Sequence, residues 1–416
     1  MSNPYTHIDA FAAREIERQA RFLAELVKVP SDNPPGDCAP AAEAAVRLLS
    51  ELGLTVESHR VPDDRVRANG MISATNLIVR ERFGHGGPTI ALNAHGDVVP
   101  PGSGWQHDPY GAEIVADPAH GKVMYGRGVA VSKSDFATYA WALLALKELQ
   151  ARGIVLNGSV ELHCTYDEEV GGGIGPQWLL EQGLSKPDLV ICAGFAYAIT
   201  TAHNGCLHLE VVVAGKPGHA AIPSTGIDAL EAATGILNAL YGFRAELARR
   251  HSKVPGIEHA TLNIGLIHGG INTNVIPDRV LLRLDRRVIP EESMEQAEAE
   301  LRSLIAAVPT VAGITVTVQR ILRADPLLEL PGATRLIKAL RGHGERVFNA
   351  SIATTGVPLY TDARHYAAAG IPTVLYGAGP RTLQEANGHG ADECLRLNDL
   401  QGATRVVSAT LAELLQ

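Results

Sequence analysis

The sequence predicts an α/β fold built on a mainly parallel sheet and interrupted by a smaller α+β unit. Three observations carry this. Short apolar runs at Thr89–Asn93, Ser159–Cys164 and Asp188–Cys192 each end in a polar cluster. A helical stretch, Phe136–Leu149, lies between two of them, and strand alternating with helix is the mark of a parallel layer. Near residue 206 the pattern changes to strands and long helices, a compact α+β insertion of about 115 residues.

At the N-terminus, Ile8, Phe11, Phe22, Leu23, Leu26 and Val27 recur at helical spacing, which predicts a helix over 8–28. The run from Ser31 to Pro40 is rich in Pro, Gly and Asp and reads as a loop. Ala41–Leu54 reads as a second helix, before the three strand candidates. In the insertion, Leu207–Val213, Ala260–Ile267 and Arg279–Asp285 read as strands, and Gly226–Arg250 and Glu291–Ala307 as helices. From about residue 324 the α/β style returns, with Ala333–Arg341 helical, Thr373–Tyr376 a strand and Gly402–Leu415 helical. The expected division is 1–205 with 324–416 as one discontinuous domain and 206–323 as the other.

Composition sets the bounds. A length of 416 residues predicts two or three domains. Hydrophobic residues make up 46% and aromatics 5%, so a large and mostly aliphatic core is expected. The net charge of −9 argues against a dedicated nucleic-acid binder, which carries a basic excess. No apolar run reaches the roughly 18–20 residues of a membrane span, and the N-terminus lacks a secretory apolar stretch. Cys38, Cys164, Cys192, Cys206 and Cys394 show no CxxC spacing, which argues for a reducing, cytoplasmic location.

Four segments concentrate ligand-type residues. His95-Gly96-Asp97 comes after a strand, and an acid two residues beyond a His is the spacing of a metal ligand with its orienting carboxylate; a solvated loop explains it equally well. Asp167-Glu168-Glu169 stands between a strand and glycines. Three adjacent acids repel, so solvent, a cation or a raised pKa must offset them. Such acids suit a division of labour, one on a metal and one as general base, but also an acidic loop in water. His389 sits in the Gly-flanked loop Asn387–Glu393, and His219 in Lys216–Ala221; each alone reads as a surface histidine.

Together these segments resemble the M20 metallopeptidase family, which includes acetylornithine deacetylases, succinyl-diaminopimelate desuccinylases and glutamate carboxypeptidases. The resemblance covers nearly the whole chain and extends to Tyr125–Gly128, Gly269-Gly270, Asn274–Pro277, Asp285, Arg287, Thr361–Arg364 and Gly370–Thr373. It implies a zinc-peptidase-like catalytic domain, a smaller dimerisation or lid domain, and two metal ions sharing a carboxylate. It implies His95, Glu169 and His389 as metal ligands, Asp97 as the acid that orients His95, and Glu168 as general base. It implies that His219 reaches a partner subunit's site to stabilise an oxyanion. Asn274 and Arg287 would bind a substrate carboxylate, a task suited to the planar guanidinium fork.

The sequence departs from the family at two expected carboxylates. The bridging Asp after Gly126-Arg127-Gly128 is replaced by Val131, and Gly194 stands where an acid comes after Asp188. One ligand carboxylate then remains, enough for one divalent ion, manganese or zinc, held weakly. Asp135, four residues after Val131, is a distant substitute. Three readings are open: a metal-dependent hydrolase of C–N bonds in small carboxylates; an aminohydrolase acting on an activated aromatic amine such as 5-nitroanthranilate; and a non-catalytic relative that binds a small molecule. A homodimer or larger homo-oligomer is expected from the role implied for His219.

Overall fold

The computed structural model describes residues 3–382 and 384–416. They form two compact units. One comprises Met1–Thr201, Glu329–Thr355 and Thr361–Gln416; the other comprises Ala202–Leu328 and Gly356–Tyr360.

The first unit is organised by an eight-stranded sheet. Its order is Val56–Arg60, Thr75–Arg82, Ser159–Thr165, Thr89–His95, Leu189–Cys192, Thr373–Leu375, Ala198–His203 and Ala353–Val357. The four central strands, from Ser159–Thr165 to Thr373–Leu375, run parallel, and antiparallel pairs flank them. Central parallel strands are covered on both faces, which is why they read as unbroken apolar runs rather than alternating ones. The helices Pro4–Val27, Lys133–Ala151, Thr334–Phe348 and Leu397–Leu414 pack against one another. Lys133–Ala151 is buried on nearly every side, and Phe136, Tyr139 and Trp141 are enclosed within it.

Helix ends differ from the periodicity reading for local reasons. The first helix begins at Pro4 because Asn3 caps the Tyr5 N–H and proline suits the first turn. The long helix of the insertion is trimmed to Ala229–Leu247, since Asp228 accepts from the Leu230 and Glu231 N–H groups and ends the regular structure there. The last helix starts at Leu397 and runs through Gly402, where an added Cβ would strike the Phe348 ring.

The second unit is a four-stranded antiparallel sheet in the order Thr261–Gly269, Arg279–Val288, Gly205–Ala214, Thr315–Ala324. Along Gly205–Ala214 buried and part-exposed positions alternate. The helices Ala229–Leu247 and Met294–Ala306 close the apolar face, with Leu209, Val211, Val213, Ile236, Leu240 and Leu301 in the core. No helix among the described residues is long and apolar enough to cross a membrane.

Candidate functional site

Strand register places the first two segments together. Thr89–His95 and Ser159–Thr165 are parallel neighbours, with His95 opposite Thr165, so the loops leaving both strands emerge at one carboxyl edge. His95 Nδ1 lies 3.0 Å from the Asp97 carbonyl oxygen and 3.3 Å from Asp97 Oδ1. This turns Nε2 towards Glu168 Oε2, 3.9 Å away. The Ser132 hydroxyl accepts from the His95 N–H at 3.2 Å and donates to its carbonyl at 3.1 Å, which fixes the strand end.

Asp97 is fully buried. Its Oδ1 accepts the Glu168 N–H at 3.2 Å, and its Oδ2 accepts the Glu169 N–H at 3.1 Å and Asn33 Nδ2 at 3.0 Å. One carboxylate therefore orients the imidazole and holds the backbone of the acidic turn. Asn33 comes from the loop after the first helix, and its own N–H bonds the Val98 carbonyl at 2.8 Å.

The three consecutive acids have separate fates. Asp167 is buried; its Oδ2 accepts the Ile174 N–H at 2.7 Å, and burial together with Asp97 pushes it up to about 7. Glu168 and Glu169 open a short 3-10 turn. Burial and the Glu169 and Asp97 carboxylates push Glu168 up to about 7 against the pull of His95. Burial opposes charge on His95, yet Glu168 and Asp97 outweigh it and hold its pKa well above the usual value. The repulsion expected from the sequence is thus met by protonation shifts and by a facing histidine. Gly172, at φ 65°, allows Asp362 to approach where a Cβ would collide. Burial, and then Asp167 and Glu168, push Asp362 well above the carboxylate range, and buried Arg364 partly offsets them.

His389 faces this turn from the C-terminal segment. Its Nε2 lies 3.2 Å from Glu169 Oε1, and that contact raises its pKa. The loop is held from beneath by a buried ion pair. Arg127 Nη1 donates to Glu393 Oε2 at 2.6 Å, and Nη2 donates to the His389 and Gly390 carbonyls at 3.3 and 3.1 Å. Glu393 Oε1 accepts the Ala130 and Val131 N–H groups at 3.0 and 3.1 Å. One pair therefore joins the loop of Val131 to the loop of His389.

Both departures have physical consequences. Val131 is half-buried and offers an apolar side chain. At Gly194 an added Cβ would lie 2.8 Å from both Leu375 Cβ and the Tyr376 nitrogen, so the packed strand leaves no room for a carboxylate. Asp135 occupies the space beside it. Its oxygens accept the Ala378 N–H at 2.7 Å and the Gly194 N–H at 3.2 Å, and burial pushes it up to about 7. That carboxyl ties Gly194 and Ala378 together and lies outside the ligand cluster.

The residues fit a divalent cation. Among the described residues, His95, Glu168 and Glu169 form one group whose ligand atoms lie within 4.8 Å of one another. Glu169 Oε1 is buried and accepts no hydrogen bond. A buried carboxylate oxygen that accepts no well-aligned hydrogen bond, with His389 Nε2 3.2 Å away and the His95 ring in the same group, is the donor set an oxygen- and nitrogen-loving ion takes up.

His219, Asn274 and Arg287 belong to the second unit. Asn274 accepts the Ala220 N–H through its carbonyl at 3.0 Å, and His219 pairs with Val275, so the two segments lie side by side. His219 is exposed, and its Nδ1 accepts the Ala221 N–H at 3.0 Å, which leaves Nε2–H as donor in the neutral ring. Arg287 forks onto Asp285, with Nε 2.9 Å from Oδ1 and Nη2 3.1 Å from Oδ2. Burial works against charge on Asp285, but His208 and Arg287 hold it down at about 2.

Sequence reasoning assigns no role to Asn33, Arg127, Ser132, Asp362 or Glu393. Arg127, Asp362 and Glu393 stand inside the family-like motifs, and for Arg127 and Asp362 a charge flanked by glycines or small residues is the available signal. Asn33 lies in a loop with no spacing relation to Asp97.

The same segments lie within a match to known proteins. A family model described as Peptidase family M20/M25/M40 matches residues 91–413. An acetylornithine deacetylase from Klebsiella pneumoniae (strain 342) is 26% identical over 373 residues, covering 88% of this chain and 89% of that protein. A succinyl-diaminopimelate desuccinylase from Methylobacterium radiotolerans is 27% identical over 402 residues, covering 94% and 95%. A Bacillus subtilis protein described as a dinuclear metal-binding peptidase of the M20 family superposes with a TM-score of 0.65 at 16% identity, covering 98% of this chain and 99% of that one.

The packing around Gly194 and Arg127 can be tested by denaturation. Gly194→Ala should cost about 1–3 kcal/mol through overpacking, read as a lower urea midpoint; an unchanged midpoint would show that the strand yields. Arg127→Ala leaves Glu393 buried without its partner and should cost about 3–5 kcal/mol by the same measurement. A loss under about 1 kcal/mol would mean that water or another cation replaces the guanidinium.

Proposed function

The chain belongs to peptidase family M20/M25/M40 and is a hydrolase acting on C–N bonds, and from that premise we propose that it cleaves an amide of a small carboxylate-bearing substrate with Glu168 as general base. The observation that carries this reading is the Asp97 carboxylate, which holds His95 and the Glu168–Glu169 backbone in one frame.

His95 and Glu169, with His389, would hold one exchangeable divalent cation, manganese or zinc. When bound, such an ion polarises the electrophilic carbon's oxygen and acidifies water. A second ion would add two positive charges with no further ligand carboxylate to offset them, because Val131 is apolar and Gly194 has no room. Glu168, poised near neutrality, accepts the proton of the attacking water and returns it to the leaving nitrogen. His219 donates its Nε2–H to the developing oxyanion from a partner subunit. Arg287 offers Nη1 to the substrate carboxylate, its Nε and Nη2 each donating to Asp285, and Asn274 adds a further contact.

The apolar Val131 also supports a second reading. A site with one ion suits a carbon that is already activated, so water would displace ammonia from an electron-poor aryl amine such as 5-nitroanthranilate. Hydrolysis of N-acyl amino acids with no action on aryl amines would remove it.

Calorimetric titration of metal-stripped protein with Mn²⁺ tests the site. One manganese ion per chain is expected, and the binding should vanish in His95→Ala. Turnover of N-acyl amino acids or aryl amines should fall about 10²–10⁴-fold in Glu168→Gln with that binding retained. Full activity in the variant would overturn the role of Glu168. Two manganese ions would mean that substitute ligands exist.

The dimer is proposed through the second unit, where Leu266, Ile267 and Ile271 are exposed on or just after the edge strand Thr261–Gly269. Sedimentation at micromolar concentration should give a dimer, and a monomer would exclude the cross-subunit role of His219.

A further inference from the structure

The second unit carries a cluster that this reaction does not use. Cys206 and His208 are two residues apart on the strand Gly205–Ala214, so their side chains leave the same face. In the antiparallel register Asp285 stands opposite His208, and Arg287 opposite Cys206. Cys206 Sγ lies 3.3 Å from His208 Nε2 and 3.8 Å from Asp285 Oδ1. His208 Nε2 lies 3.4 Å from Asp285 Oδ2.

We propose that Cys206, His208 and Asp285 form a second divalent-metal site, of zinc or cobalt type, pinning two strands of the smaller sheet. Tetrahedral zinc, with bonds of about 2.3 Å to sulfur and about 2.0 Å to nitrogen or oxygen, spaces its ligand atoms about 3.3–3.6 Å apart. The sulfur–nitrogen and nitrogen–Oδ2 separations, 3.3 and 3.4 Å, lie close to those edges, and the sulfur–Oδ1 separation of 3.8 Å is slightly longer. The geometry does not suit a Cys–His–Asp relay. In a relay the acid bonds the ring nitrogen opposite the nucleophile; here both contacts fall on Nε2. Instead, one ligand atom from each of the three residues lies within 4.8 Å of the other two.

The surroundings fit an ion. Arg287 holds both Asp285 oxygens yet leaves each a lone pair, as an outer donor fixes a ligating carboxylate. Cys206 is buried, while the His208 and Asp285 side chains are 35% and 31% exposed, so the ion has an entry and water can take the fourth position. Thiolate with imidazole selects zinc or cobalt over magnesium and manganese. On binding, the Cys206 thiol releases its proton to solvent as the sulfur–metal bond forms.

Cobalt distinguishes the two sites, because the His95 cluster supplies only nitrogen and oxygen. Metal-stripped full-length protein is titrated with Co²⁺. The expected result is a near-ultraviolet thiolate-to-cobalt charge-transfer band saturating at one ion per chain. It should persist in His95→Ala, disappear in Cys206→Ser and in His208→Gln, and be displaced by Zn²⁺. Because His208 is part-exposed, His208→Gln keeps the test decisive should Cys206→Ser not fold. Zinc should also raise the melting temperature of His95→Ala but not of His95→Ala combined with His208→Gln. Absence of the band in excess cobalt overturns the proposal, as does a band that survives in both Cys206→Ser and His208→Gln.

Discussion

A single buried carboxylate sets the geometry of the larger unit's site. Asp97 has no exposure, and a charge in that position is costly unless every lone pair is used. Two backbone N–H groups of the acidic turn, the Asn33 amide and the His95 ring meet that demand. The same contacts that offset its burial decide where the functional groups point. His95 can only present Nε2 outward, and Glu168 and Glu169 can only leave the turn on the side of that nitrogen. Removing the carboxylate would release the strand end, the turn and the Asn33 loop together.

The Arg127–Glu393 pair does similar work at the rim. Buried ion pairs are poor sources of net stability, because desolvation consumes most of the attraction. Their value lies in direction. Arg127 directs its donors to the His389 and Gly390 carbonyls, and Glu393 accepts the Ala130 and Val131 N–H groups, so both loops are set by one interaction. The loop of Val131 is therefore held in place although that position carries no carboxylate. At Gly194 the packing of Leu375 and Tyr376 excludes a side chain, so the change there is embedded in the sheet rather than confined to the cleft.

Much of this is legible in the chain itself. Thr89–Asn93 and Ser159–Cys164 end in polar clusters because parallel strands deliver their loops to one edge, and an apolar run leading into His or three acids shows that directly. Helix ends are less legible, since Asn3, Asp228 and Ser293 set them through one or two capping hydrogen bonds that periodicity does not register. The partition of Asp167, Glu168 and Glu169 is not legible either. Three adjacent acids look alike in sequence, and only the turn separates the enclosed one from the pair that faces the histidines.

The sequence by itself determined the layers, the insertion and the residue types at the carboxyl edge, because hydrophobic period and local chemistry depend on near neighbours. Tertiary structure alone decided the pairings across long separations: Asn33 with Asp97, Arg127 with Glu393, Asp135 with Gly194 and Ala378, Cys206 and His208 with Asp285. Those partners are joined by strand register and by the burial of charge. Both depend on how distant segments meet, and neither leaves a spacing in the chain.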